Sequence, residues 1–134
     1  VVMHDLMAPQ DAARWQRGAA ACLVSIRPGQ GYDFAYPTKV LAALACGTPV
    51  VYAGLGPVRA DLEDGSLGWA AAYEADDVAR ALGLALDQDA ALEAQGGQGR
   101  RERAERLHAW VRAHRSLEAT GESVARRLRE VVRG

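Results

Sequence analysis

A chain of 134 residues with 49% hydrophobic content and a formal charge of −1 is long enough to bury a core in one domain, and its balance of charges excludes a polyelectrolyte tail. The same balance argues against nucleic acid as a partner, because no net positive field would draw a phosphate backbone in. No run approaches the roughly 20 apolar residues that span a bilayer and no charged-then-apolar leader opens at Val1, so the expectation is a cytoplasmic protein, with peripheral association with a membrane left open.

In chain order, Val1-Val2-Met3 reads as a short strand, and Pro9 to about Arg17 as a helix with Pro in its first turn and Gly18 close behind its end. Ala21 to Ile26 is a continuous apolar run, the pattern of a strand covered on both faces. Arg27 to Ala35 carries Pro28, Gly29 and Gly31 and is a loop leaving the carboxyl end of that strand, where open α/β sheets bind ligands. Pro37 suits the first helical position, Gly47 the left-handed position after the last turn, and Pro49 blocks continuation, which bounds a helix at about Pro37 to Cys46.

Val50 to Ala53 is a second buried strand and Gly54-Leu55-Gly56-Pro57 a second glycine-bearing turn at a strand's carboxyl end. A short helix from Val58 to about Glu63 stops at Asp64-Gly65, Leu67 to Ala71 reads as an edge strand, and Ala75 to Leu86 places Val78, Leu82 and Leu86 on one helical face. Gln95 to Gly99 is the one linker-like stretch. Beyond it, Ala104, Leu107 and Val111, with Trp110 beside them, mark one amphipathic helix, and Leu117, Val124, Leu128 and Val131 mark another. This alternation predicts an α/β, Rossmann-like fold with a mostly parallel sheet, flanking helices and two C-terminal amphipathic helices: a Rossmann-like region over 1–95 and a helical extension over 96–134 packing on the same domain.

Lys39 is the single lysine against fifteen arginines, and it stands at a helix start, where free amides and the helix dipole favour an anion. With the free amides around Tyr36 to Lys39 and the hydroxyl of Thr38, it makes a candidate phosphate site; the bland alternative is that Thr38 caps the helix and Lys39 is merely solvated.

The order of strand, glycine loop, helix start, glycine stop and strand, with Tyr36-Pro37-Thr38-Lys39-Val40-Leu41 followed by Leu44-Ala45-Cys46-Gly47-Thr48-Pro49-Val50-Val51, resembles the donor-site signature of the group 1 (retaining, family-4-like) glycosyltransferases of the GT-B fold. The central segment is the specific part; the flanks agree in order and spacing. The resemblance implies a C-terminal donor-binding domain, incomplete as it stands, that takes a nucleoside diphosphate sugar as donor substrate, needs no other cofactor or metal, and works with an N-terminal domain and an acceptor that this sequence does not contain. It implies that Gly29, Gly31, Thr38 and Lys39 bind the donor phosphates and that the loop at His4 and Asp5 touches the nucleobase, a structural loop end being the alternative there. Catalytic residues would lie upstream of Val1, and this chain alone would be inactive.

One departure is sharp: the family usually has glutamate three residues after the lysine, gripping the donor ribose, and here that position is Ala42. The family's earlier acidic position falls on Phe34, with Asp33 adjacent. A different class of function therefore stands beside the first, a non-catalytic Rossmann-like module or pseudoglycosyltransferase acting in assembly. A dinucleotide-dependent oxidoreductase is disfavoured by the missing Gly-x-Gly-x-x-Gly fingerprint. Ser25 has no nucleophile-elbow setting. Cys22 and Cys46 lack metal spacing, and His108 and His114 lack partner ligands. Arg100, Arg101, Arg103 and Arg106 alternate with Glu102 and Glu105 as a solvated ion-pair face, and Trp15, Trp69 and Trp110 read as packing residues.

Overall fold

The computed structural model describes residues 1–62 and 66–133, and the predicted helix end at Glu63 to Gly65 lies outside them. Helix α1 (Pro9–Gly18) leads into strand β1 (Cys22–Ser25), α2 (Thr38–Ala45), β2 (Val50–Ala53), α3 (Pro57–Leu62), β3 (Gly68–Ala71), α4 (Ala75–Ala94), α5 (Gln98–His114) and α6 (Leu117–Arg133). The three strands form one parallel sheet in the order β1-β2-β3, with Cys22 beside Val50 and Val50 beside Gly68. The fold is thus an α/β arrangement of generic Rossmann-like topology, its sheet flanked by helices. Among the described residues no helix is long and apolar enough to cross a membrane.

The central strand shows why the sheet is layered. Its side chains alternate: Val50 and Tyr52 join Val24, Val40, Leu44, Val58 and Leu107 in one cluster, while Val51 and Ala53 join Ala71, Ala81 and Ala85 in another. All four residues of β2 are buried, and enclosing a valine fully stabilises by about 1.5–3 kcal/mol, so this one strand anchors both layers. Thr48, just before it, is buried and donates its hydroxyl to the Gln16 carbonyl at 2.5 Å, tying α1 to the turn after α2. At that turn Gly47 has φ +80°, and a Cβ there would lie 2.5 Å from the Ala104 Cβ, so only glycine lets α5 approach the end of α2 this closely.

Several sequence expectations need correction. Val1 to Met3 is not a strand: the three residues are fully exposed and unpaired, and so short a run gains too few ladder bonds to hold itself extended. Strand β1 is covered on one face only. Val24 enters the core, but α4 packs on β2 and β3, leaving Leu23 51% exposed at the open edge. Helix α2 begins at Thr38, with Pro37 extended before it as the cap residue, and α4 runs eight residues past the predicted Leu86.

That extension rests on charge. Asp89 of α4 is buried and accepts hydrogen bonds from Arg100 Nε at 3.0 Å and from Arg103 Nη2 at 2.8 Å, with a second, very close contact to Arg100. Arg103 therefore does not belong to a solvated face; it is 6% exposed, and its Nε and Nη1 have no hydrogen-bond partner. Burial pushes the Asp89 carboxyl up, but the two guanidiniums outweigh burial and hold it below its ordinary value. Trp15 also departs from the packing role: it is 63% exposed on α1 and carries the ring of His4 at 4.9 Å.

Candidate functional site

The loop after β1 and the turn after β2 leave the same end of the sheet and interlock. Gly56 has φ +91° and lies against the backbone carbonyl of Asp33, where a Cβ would collide. The Asp33 carboxylate turns back within its own loop and accepts the Gly29 amide with both oxygens, at 3.2 and 3.1 Å. Gly29 and Gly31 both hold left-handed backbone, φ +76° and +78°, in open surroundings. Arg59 closes the other side, donating to the carbonyls of Gly54 at 3.2 Å and Ala71 at 2.8 Å, which fixes the turn after β2 to the end of β3.

The loop then delivers the chain to α2. Pro37 has φ −64° and ψ 127°, no side chain caps this end, and the amides of Thr38 and Lys39 belong to the first turn, which has no intrahelical acceptors. Thr38, Lys39 and Ala42 are all exposed. Thr38 is therefore a first-turn residue and not the cap, and the start of α2 presents unfilled donors beside an ammonium. Directly before it, the Tyr36 hydroxyl donates to Asp61 of α3 at 2.9 Å, and Arg115, at the junction of α5 and α6, donates to the same carboxylate at 2.6 Å. The Arg115 guanidinium also lies over the Tyr36 ring at 4.8 Å and the Trp110 ring at 5.7 Å. Burial first, and the hydrogen bond to Asp61 second, push the Tyr36 phenol up to about 12.

Of the sequence candidates, Gly29, Gly31, Thr38 and Lys39 lie along one continuous loop and helix start. Two features of that stretch bear on anion binding in opposite directions. The start of α2 is open, whereas the Gly29 amide is already taken by Asp33. His4 and Asp5 sit in the exposed N-terminal segment; among the described residues no hydrogen bond or ring contact joins them to this loop, and His4 rests on Trp15 instead. A separate open cavity of about 230 Å³ lies off the ends of β1 and β2 on the α4 side, lined by Leu23, Ser25, Ala53, Tyr73, Glu74 and Val78; its walls do not include Lys39.

Comparison of the chain with protein-family models, with curated proteins and with solved structures gave no match. The site must therefore be read from its own chemistry. Among the described residues no group of three metal-ligating side chains comes together. Cys22 and Cys46 are free and half-buried, and burial, then the neighbouring Cys46, raises the Cys22 thiol above its ordinary value, which favours the protonated form over the nucleophilic thiolate. His108 and His114 are exposed, with His114 stacked on Trp110 at 5.0 Å. Sequence reasoning missed the Tyr36, Asp61 and Arg115 cluster, whose members are 25 and 54 residues apart and share no motif.

Proposed function

We propose that this chain supplies part of the donor site of a glycosyltransferase that moves a sugar from a nucleoside diphosphate sugar to an acceptor. The observation that carries the reading is the uncapped start of α2: two first-turn amides and the exposed Lys39 stand behind a glycine loop at the carboxyl end of a parallel strand, within the run Tyr36 to Val51 that resembles the donor signature. In this reading Thr38 and Lys39 meet the diphosphate, Gly31 gives the loop room to approach it, and Gly29 becomes available when the incoming phosphate displaces the Asp33 carboxylate. An N-terminal domain carrying the acceptor and the reacting groups belongs to the proposal.

Calorimetric titration of the full-length protein with UDP, GDP and ADP sugars tests it. One donor class should bind, and Lys39→Ala should weaken that donor at least about tenfold, the scale of losing one charge-assisted contact to phosphate. Absence of binding across the whole panel would refute the proposal.

A non-catalytic module is the second reading, and two observations favour it. Ala42 puts a methyl group on the exposed face of α2 where a carboxylate would grip a ribose, and Asp33 places a negative charge against the amide that a phosphate would need. Ala42→Glu separates the two: tighter donor binding belongs to a weakened enzyme site, and no binding by either form belongs to the module.

A further inference from the structure

Helix α6 carries its apolar residues on the wrong side for a lone domain. Leu117, Gly121, Val124, Leu128 and Val131 follow one another at alternating steps of four and three residues, the repeat of a two-helix seam. Their large side chains face solvent: Leu117 is 94% exposed, Val124 53%, Leu128 61% and Val131 78%. The helix touches α5 by another side, and among its described side chains only Ala119 and Ala125 are half-buried.

What covers the seam is written in its own sequence. A lipid surface fits poorly, because Glu118, Glu122 and Glu130 offset all but one of the four arginines Arg126, Arg127, Arg129 and Arg133, and the helix has no aromatic residue or lysine. A second α6 running antiparallel fits in two independent ways. The stripe is nearly symmetric about Val124, so reversal sets Leu117 opposite Val131 and Val124 opposite itself, and brings Leu128 to within one residue of the level of Gly121. Gly121, with open space around it, is the one gap in the stripe, and Leu128 is a side chain large enough to fill it. Reversal also opposes the helix dipoles and brings the half bearing Glu118 and Glu122 against the half bearing Arg126, Arg127, Arg129 and Arg133, whose one acidic residue, Glu130, then lies opposite Glu118. A parallel pair would set glycine on glycine and the acidic half on the acidic half.

We infer that α6 is a self-association element, pairing antiparallel with α6 of a second copy about a two-fold axis near Val124. Such an interface is isologous and closes at two subunits. Sedimentation equilibrium on the full chain at about 0.1 mM, a concentration that populates even a modest interface, should give twice the chain mass. Leu128→Glu, a change at an exposed position, should give the single-chain mass with a cooperative urea transition retained, its midpoint lower only by what the dimer contributes. Under mild oxidation Val124→Cys should cross-link between chains well above the unsubstituted protein, and Leu117→Cys should not, since antiparallel ends lie far apart. A wild-type monomer at that concentration overturns the inference, as does a dimer that survives Leu128→Glu. Equal cross-linking at Leu117 and Val124 overturns the antiparallel arrangement, and a monomer that binds anionic phospholipid vesicles through α6 assigns the stripe to a membrane instead.

Discussion

Replacing Asp89 with alanine should be among the most damaging single changes in the chain, although the residue lies far from the candidate site. The Asp89 and Arg103 side chains are 9% and 7% exposed, and the carboxylate takes the only hydrogen bond that the buried guanidinium makes among the described residues. Its removal leaves Arg103 charged, buried and wholly unpartnered. Breaking a buried pair from one side costs about 3–5 kcal/mol; we take about 3 kcal/mol, because the half-exposed Arg100 leaves one edge of the network open to water. With a urea slope of about 2 kcal/mol/M, the unfolding midpoint should fall by about 1.5 M. Asp89→Leu combined with Arg103→Met should recover most of that loss, since removing both charges leaves nothing to desolvate. A shift below about 0.5 M for Asp89→Ala, or a double variant no better than the single one, would show that the network is a solvated surface contact and that the reasoning fails.

Acid should expose the same network. Because Asp89 is held below its ordinary value in the folded chain, its contribution is complete above about pH 4 and is lost as pH falls through the depressed folded value, so Asp89→Asn should flatten the acid limb of a stability profile. Tyr36 has the opposite sign: its raised phenol contributes fully below about pH 10 and loses that contribution as pH climbs toward about 12. Burial also raises the Tyr52 phenol, so two of the four tyrosines, Tyr36 and Tyr52, should ionise late in an absorbance titration, and Tyr36→Phe should remove one of them. Tyr36→Phe should cost about 1 kcal/mol by denaturant titration, the scale of one hydrogen bond, with the ring still under Arg115. Gly56→Ala should cost about 2 kcal/mol or more, because the φ of +91° and the Asp33 carbonyl both oppose a Cβ; Gly31→Ala, in open space with only its φ to oppose it, should cost less.

The parts of the fold that could be read from sequence are those fixed locally. Val50 to Ala53 is four apolar residues between Pro49 and Gly54, and no other assignment satisfies both the punctuation and the length. Helix α2 is bounded in the same way by Pro37 and Gly47. The apolar pattern stops α4 at Leu86 because Asp87, Gln88 and Asp89 interrupt it, and the reason Asp89 is buried stands on α5, 11 and 14 residues further on. Strand β1 carries an apolar pattern that promises two covered faces, yet coverage depends on where α4 lies, which no local pattern encodes. At the candidate site, Gly29, Gly31, Thr38 and Lys39 could be picked out from turn and helix-start chemistry. The capture of the Gly29 amide by Asp33 could not, because it depends on how the loop closes.

Asp61 has a further consequence. One carboxylate holds both Tyr36, the last residue before Pro37 and the start of α2, and Arg115, the last turn before α6 departs. The two ends of the molecule that carry its proposed roles are therefore moored to a single post. Loss of the Asp61 carboxylate would release two contacts at once, the hydroxyl just before the anion-facing turn and the guanidinium just before α6 departs.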